Sequence, residues 1–212
     1  MFFTPTAFYK NSTPTQQVQF AFDADYIMLT YEFTDGIDLD TKTRIVTPDI
    51  GQTTNEDFVG YPNGNLSYPL NSTPIITWGD DNRDTGFESV LINVKQLRLF
   101  APTAQSFVLD ARALWFVPGV IGSNDVNIAV TLWRNPSGGA PVKNGCINEN
   151  DGLPYCWTNS TAVSASLNSV GVKIINNDPS SIGQRAATLT YNLQTHIGTL
   201  NSNDTTTPIP TP

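Results

Sequence analysis

The tightest constraint in this sequence is alternation: apolar side chains recur at every second position in several separate stretches. Successive side chains of an extended strand point to opposite faces, so such a run buries one face and leaves the other to water. Residues 26–33 place Ile27, Leu29, Tyr31 and Phe33 on one face. Residues 105–117 place Phe107, Leu109, Ala111, Ala113 and Trp115 on one face, with Asp110 and Arg112 on the other. Residues 126–133 alternate Ile128, Val130 and Leu132 with Ala129, Thr131 and Trp133, and residues 185–193 turn Ala187, Leu189, Tyr191 and Leu193 inward. Residues 161–167 read the same way, and shorter candidates lie near 16–22, 43–47, 74–78, 87–94 and 170–176.

Turn signals separate the runs: Asp35-Gly36, Pro62-Asn63-Gly64, Pro118-Gly119, Asn135-Pro136-Ser137-Gly138-Gly139 and Asn176-Asn177-Asp178-Pro179. The one helical candidate is short, around Val94–Leu99, and Pro102 follows it. Many strands at this spacing, with almost no helix, predict an all-β fold. The expected form is a two-sheet antiparallel β-sandwich, jelly-roll-like, with long loops; a closed barrel is the alternative. The expected organisation is an N-terminal arm over 1–15, a single domain over 16–200 and a Thr/Pro-rich tail over 201–212 that has almost nothing to bury.

Charge narrows the partners. The net charge is −8, and no Lys/Arg cluster is evident along the sequence. That field repels nucleic acid and acidic membranes and favours cations. Charged residues make up 14 % of the chain, against about 25 % in an ordinary soluble domain, a bias shared by proteins that work outside the cytosol or inside large assemblies. The opening Met1-Phe2-Phe3-Thr4-Pro5 lacks the basic start and apolar run of a secretory leader, and no stretch reaches the ~20 apolar residues of a membrane span. The expectation is synthesis in a cytoplasm and no membrane association.

Two acid-rich segments carry the most chemical information: Thr34-Asp35-Gly36-Ile37-Asp38-Leu39-Asp40-Thr41 and Gly79-Asp80-Asp81-Asn82-Arg83-Asp84-Thr85-Gly86-Phe87-Glu88. Calcium takes about six to eight oxygen ligands, which crowded Asp and Asn side chains and loop carbonyls supply. Asp38 and Asp40 fall on the same side of an extended segment, and Asp80, Asp81, Asn82 and Asp84 crowd four oxygen-bearing side chains together, with Glu88 just beyond. Either loop alone is better explained as a solvated turn, because Asp and Asn bond their own backbone; the two together put calcium on an even footing.

These segments, with the strand Ser89-Val90-Leu91-Ile92-Asn93-Val94, resemble the TerD-like stress and tellurium-resistance proteins over roughly residues 26–134. The resemblance implies a two-sheet β-sandwich whose calcium sites use the Asp38-Leu39-Asp40 segment and the Gly79-Asp80-Asp81…Glu88 loop. The second loop departs from that family in carrying fewer acids and enclosing Arg83, which bears against a second ion. In style, the opening, the Thr/Pro tail and phrases such as Thr77-Trp78-Gly79-Asp80-Asp81-Asn82 also resemble structural proteins of tailed-bacteriophage virions, especially capsid decoration and fibre-associated proteins. That resemblance implies a virion component acting through contacts with other virion proteins or further copies of itself.

Catalytic signals are weak. His196, the single histidine, has no nucleophile in a recognisable setting and reads as a strand residue. No Gly-rich phosphate loop precedes a helix. Glu32 and Asp110 are the two acids centred on strands, a thin basis for a glycosidase pair, and Asp110 reads better as a partner for Arg112. Cys146 and Cys156 bracket a hairpin-sized loop; a disulfide there would add roughly 2–3 kcal/mol, and two free thiols are the equal alternative. A zinc site is not expected from that spacing. Tyr155 and Trp157 beside the loop are candidates for a contact surface, with a satellite core as the alternative. The expected function is therefore a non-enzymatic virion structural protein, with calcium as the expected cofactor. The alternatives are a cytosolic TerD-like calcium-binding stress protein and, more weakly, a carbohydrate-binding module.

Overall fold

The computed structural model describes residues 16–52, 54, 57–61, 67–69, 72–83, 86–143, 156–158, 163–166, 169–178 and 180–202. The arm over 1–15, Asp84, Cys146 and Tyr155 lie outside the described residues, as does the tail beyond Ser202. The strands are β1 (Gln17–Ala21), β2 (Tyr26–Phe33), β3 (Leu39–Thr47), β4 (Val59–Gly60), β5 (Ser67–Tyr68), β6 (Ile76–Trp78), β7 (Gly86–Asn93), β8 (Ser106–Trp115), β9 (Val126–Arg134), β10 (Val142–Lys143), β11 (Trp157–Thr158), β12 (Val163–Ser166), β13 (Val170–Val172), β14 (Gln184–Asn192) and β15 (Ile197–Ser202). One helix, α1 (Val94–Phe100), follows β7 directly. Asn93 caps it by accepting the Gln96 backbone N–H at 3.0 Å.

Among the described residues the strands form two large antiparallel sheets and a separate two-stranded ribbon, β10-β11. The first runs β1-β15-β14-β8-β3-β4; the second runs β12-β9-β2-β7-β6-β5, with β13 also paired to β9. The sheets are open and separate, so the fold is a sandwich rather than a closed barrel. The alternation places the core as expected. Ile27, Leu29, Tyr31 and Phe33 of β2 meet Leu109, Ala111, Ala113 and Trp115 of β8 and Leu189 and Tyr191 of β14, all buried in one cluster. Trp115 donates its indole N–H to the Ile174 carbonyl at 2.9 Å and meets Phe33 edge-on, with ring centroids 6.4 Å apart.

Three features differ from the sequence reading. β3 starts at Leu39, well before residue 43. Leu39 and Thr41 face inward and extend the alternation backwards, while the polar Asp40, Lys42 and Arg44 on the other face disguise the strand as loop. β15 continues through Asn201 and Ser202, the first two residues assigned to the tail. Ser202 is buried there, and the Gln16 backbone N–H donates to its hydroxyl at 2.8 Å. His196 lies outside the strands, in the β14–β15 turn with φ +59°, and its Nε2 is 3.3 Å from Asp23 Oδ1.

The β2–β7–β9 sheet is also covered over part of its outer face. Tyr26, Met28, Phe87, Leu91 and Trp133 point away from the main core and form a second buried cluster with Cys156 and Trp157. Trp157 is only 2 % exposed, which corrects its place on a contact surface: the apolar outer face of this sheet needs a cover, and Trp157 supplies part of it. Cys156 is disulfide-bonded.

Gly60 sets the approach of β4 to β3. Its φ is +135°, and a Cβ added there would run into the carbonyl oxygen of Thr41. Gly60→Ala is expected to cost on the order of 1–3 kcal/mol through backbone strain, read as a lowered unfolding midpoint in denaturant.

Candidate metal centre

One end of the sandwich gathers the C-terminal ends of β2, β6 and β8 with the N-terminal ends of β3 and β7. The two acid-rich segments meet there. Asp38 immediately precedes β3, and its carbonyl accepts the Phe116 N–H at 3.0 Å beyond the end of β8. Asp40 is the second residue of β3, and Asp81 sits in the turn after β6. Each of these three aspartates offers a carboxylate oxygen within 4.8 Å of the other two.

Asp40 is the unusual member. It is fully buried, and neither of its carboxylate oxygens receives a hydrogen bond. Buried carboxylates normally find donors, because an unsatisfied ionised group is costly away from water. Burial, then the neighbouring Asp38 and Asp81 charges, push Asp40 up from 3.8 to about 7, with Lys42 acting in the opposite direction. Asp81 engages Arg83 through Oδ2 at 3.0 Å and leaves Oδ1 buried without a donor. Arg83 itself is largely exposed. An all-oxygen, acidic, partly desolvated cluster is a setting for a hard cation.

Of the other expected ligands, Glu88 has a different task. It points between the sheets, and its Oε2 accepts from the Thr41 backbone N–H (3.2 Å), the Thr41 hydroxyl (2.5 Å) and the Trp78 indole (3.3 Å). Its Oε1 accepts from the Asn82 backbone N–H at 3.3 Å. Burial raises its pKa well above the ordinary value, partly offset by the Thr41 and Asn82 donors. Glu88 thus ties the Asp40–Thr41 strand to the Asp81–Asn82 turn and holds the two halves of the cluster together. Asp80 accepts the Asp81 backbone N–H at 3.0 Å as a turn residue. The Asn82 side-chain amide reaches the Phe87 carbonyl at 3.5 Å. Asp80 and Glu88 stand outside the three-carboxylate group.

The two strand-centred acids, Glu32 and Asp110, lie apart. Glu32 is exposed on the outer face of the β2 sheet, whereas Asp110 is buried on the outer face of the opposite sheet. Sequence reasoning paired Asp110 with Arg112 correctly, at 3.1 Å, but missed Arg44 at 3.8 Å and Arg185 at 3.1 Å. Alternation along β3 puts Arg44 on that outer face, a signal available in principle once the start of the strand is known.

No protein-family model, curated protein or solved structure matches the chain. Fold and site together define a two-sheet β-sandwich with a carboxylate cluster at one end that can hold a metal ion. No helix among the described residues is long and apolar enough to cross a membrane.

Proposed function

We propose that this chain is a non-catalytic contact module, a β-sandwich whose acidic end is closed by one calcium ion held by Asp38, Asp40 and Asp81. The observation that carries the reading is Asp40: a fully buried carboxylate with both oxygens undonated, beside two further carboxylates. The chemistry of the donors favours calcium. Zinc prefers nitrogen and sulfur ligands, and the chain's one histidine is engaged with Asp23. Magnesium demands a near-ideal octahedron, whereas calcium accepts irregular sets of about six to eight oxygens, which the carboxylates with nearby carbonyls and water can supply.

Calorimetric titration of the metal-stripped full chain is expected to give one-site binding of calcium. Asp81→Asn should weaken that binding by roughly tenfold or more, as loss of a charged oxygen ligand does. A flat isotherm for the wild type, with no change in melting temperature at millimolar calcium, sinks the proposal.

The role of such a module is contact within an assembly, and a virion structural component remains our reading of that assembly. It is supported by the low charged fraction and by the disulfide at Cys156, a bond that persists outside reducing cytoplasm. The same bond weighs against a cytosolic TerD-like stress protein, although the Asp38-Leu39-Asp40 segment and the Gly79-Asp80-Asp81 turn do converge. Burial of Trp157 removes half of the aromatic surface on which a carbohydrate-binding reading rested. Sedimentation separates the assignments: a virion component travels with particles or self-associates, and a protein that stays monomeric and soluble beside them is not one.

A further inference from the structure

We propose that Arg44, Arg112 and Arg185 form a binding site for a small oxyanion, a sulfate, phosphate or carboxylate group, on the outer face of the β3–β8–β14 sheet. This site is separate from the calcium reading and does not depend on it.

Cross-strand register builds the site. Lys42, Arg112 and Arg185 lie opposite one another across three adjacent strands, and Arg44 lies opposite Asp110 in the neighbouring row. Like charges placed directly opposite destabilise a sheet. This row occurs in a chain with 11 basic and 19 acidic residues, so abundance of cations does not explain it. Arg185 reaches the row through a bulge. The register shifts between Arg185 and Ala187, and without the extra residue Arg185 would share the inward face of Ala187, Leu189 and Tyr191.

Three guanidiniums then converge on one carboxylate. Asp110 Oδ1 takes the Arg185 Nε and Oδ2 takes the Arg112 Nε, both at 3.1 Å. Arg44 is left at 3.8 Å, and its Nε is buried with no acceptor. One carboxylate therefore faces three fixed positive charges. Lys42 adds a fourth beside them; it donates to the Ser181 carbonyl and feels Asp40 and Asp178. Arg112 spends one terminal nitrogen on the Gly183 carbonyl at 3.3 Å. The Arg44 and Arg185 termini donate to no described protein atom.

The setting is organised rather than merely crowded. The buried Phe58 ring lies 4.7 Å from the Arg44 guanidinium carbon and 5.4 Å from that of Arg112, so both cations sit against an apolar wall. The three arginine side chains keep 17, 12 and 16 % of their surface exposed, so an ion arriving from solvent can touch them while most of their charge is shielded from water. Planar forks of N–H donors match the oxygens of carboxylate, sulfate and phosphate.

The test uses the full chain in calcium-free buffer with chelator, at near-neutral pH and matched ionic strength. Sodium sulfate, phosphate and acetate are each titrated against sodium chloride, with melting temperature and the Nε–Hε resonance of Arg44 as readouts. Sulfate stabilises proteins generally by exclusion from their surfaces, so the expected signature is a saturable shift carried by Arg44, above the chloride baseline. Arg44→Gln and Arg185→Gln should each weaken it roughly tenfold, as loss of a charge-assisted hydrogen bond does, while Lys143→Gln, at an exposed position on β10, leaves it unchanged. Should Arg44→Gln fold poorly, the wild-type Arg44 resonance still decides. Saturation by acetate alone identifies a carboxylate, as from a partner's acidic side chain; saturation by sulfate or phosphate identifies a free tetrahedral ion. An Arg44 resonance that does not move, or shifts identical to chloride in every variant, overturns the proposal.

Discussion

Asp40→Asn is expected to reverse its effect on stability when calcium is added. Without metal, the wild type buries a carboxylate whose oxygens have no donors and whose neighbours are Asp38 and Asp81. Replacing it by a neutral isostere removes that cost, so the variant should unfold at higher denaturant than the wild type above pH 7. With calcium in large excess the order inverts, because a ligand that binds only the folded state stabilises by about 4 kcal/mol at a thousandfold excess over its Kd. The pH dependence follows from the same group. Asp40 titrates near 7 in the folded chain and near 3.8 when unfolded. Between those values the folded state holds the extra proton, so metal-free stability falls as pH rises from about 4 to about 7. Glu88, raised by burial, acts in the same direction. Calcium must displace that proton, so its affinity should climb with pH up to about 7 and then level. Denaturant unfolding of both proteins with chelator and with calcium checks every part. The same rank order in both conditions would remove Asp40 from the ligand set.

Asp110→Ala should destabilise the opposite sheet by about 3–5 kcal/mol, the usual consequence of stripping one partner from a buried ionic group. Asp110 is 2 % exposed and is the acceptor for both Arg112 and Arg185. Without it, three guanidiniums on adjacent strands repel one another beside the buried Phe58. The loss should shrink in sulfate, which offers oxygens in place of the carboxylate, and should persist in chloride at the same ionic strength. Chemical denaturation in the two salts measures both quantities. A loss below about 1 kcal/mol, the worth of an exposed ion pair, would show that the arginines are stabilised by something other than Asp110.

The two predictions fall on features of different legibility. Asp38, Asp40 and Asp81 stood out in the sequence because acids crowded into short loops are conspicuous. Their selection from a wider set of seven did not. Glu88 looked like a ligand from its spacing, yet it faces inward on β7 and joins Thr41, Trp78 and Asn82. Trp157 looked like a surface aromatic, yet it helps to cover Met28 and Trp133. In both cases the deciding fact is what lies across the gap, supplied by a segment distant in the chain.

The sequence by itself determined the fold class and the faces of the long strands, because alternation is a local property: Ile27, Leu29, Tyr31 and Phe33 must share a side wherever β2 sits. It also determined that acids would cluster at strand ends. Only the tertiary structure decided which acids meet, since the Asp38–Asp40 and Asp81 segments come from different sheets and join through Glu88. It alone decided, too, that Arg185 belongs with Asp110. The bulge between Arg185 and Ala187 shifts the register by one residue, and with a period of two a single residue turns a side chain from the core to the outer face.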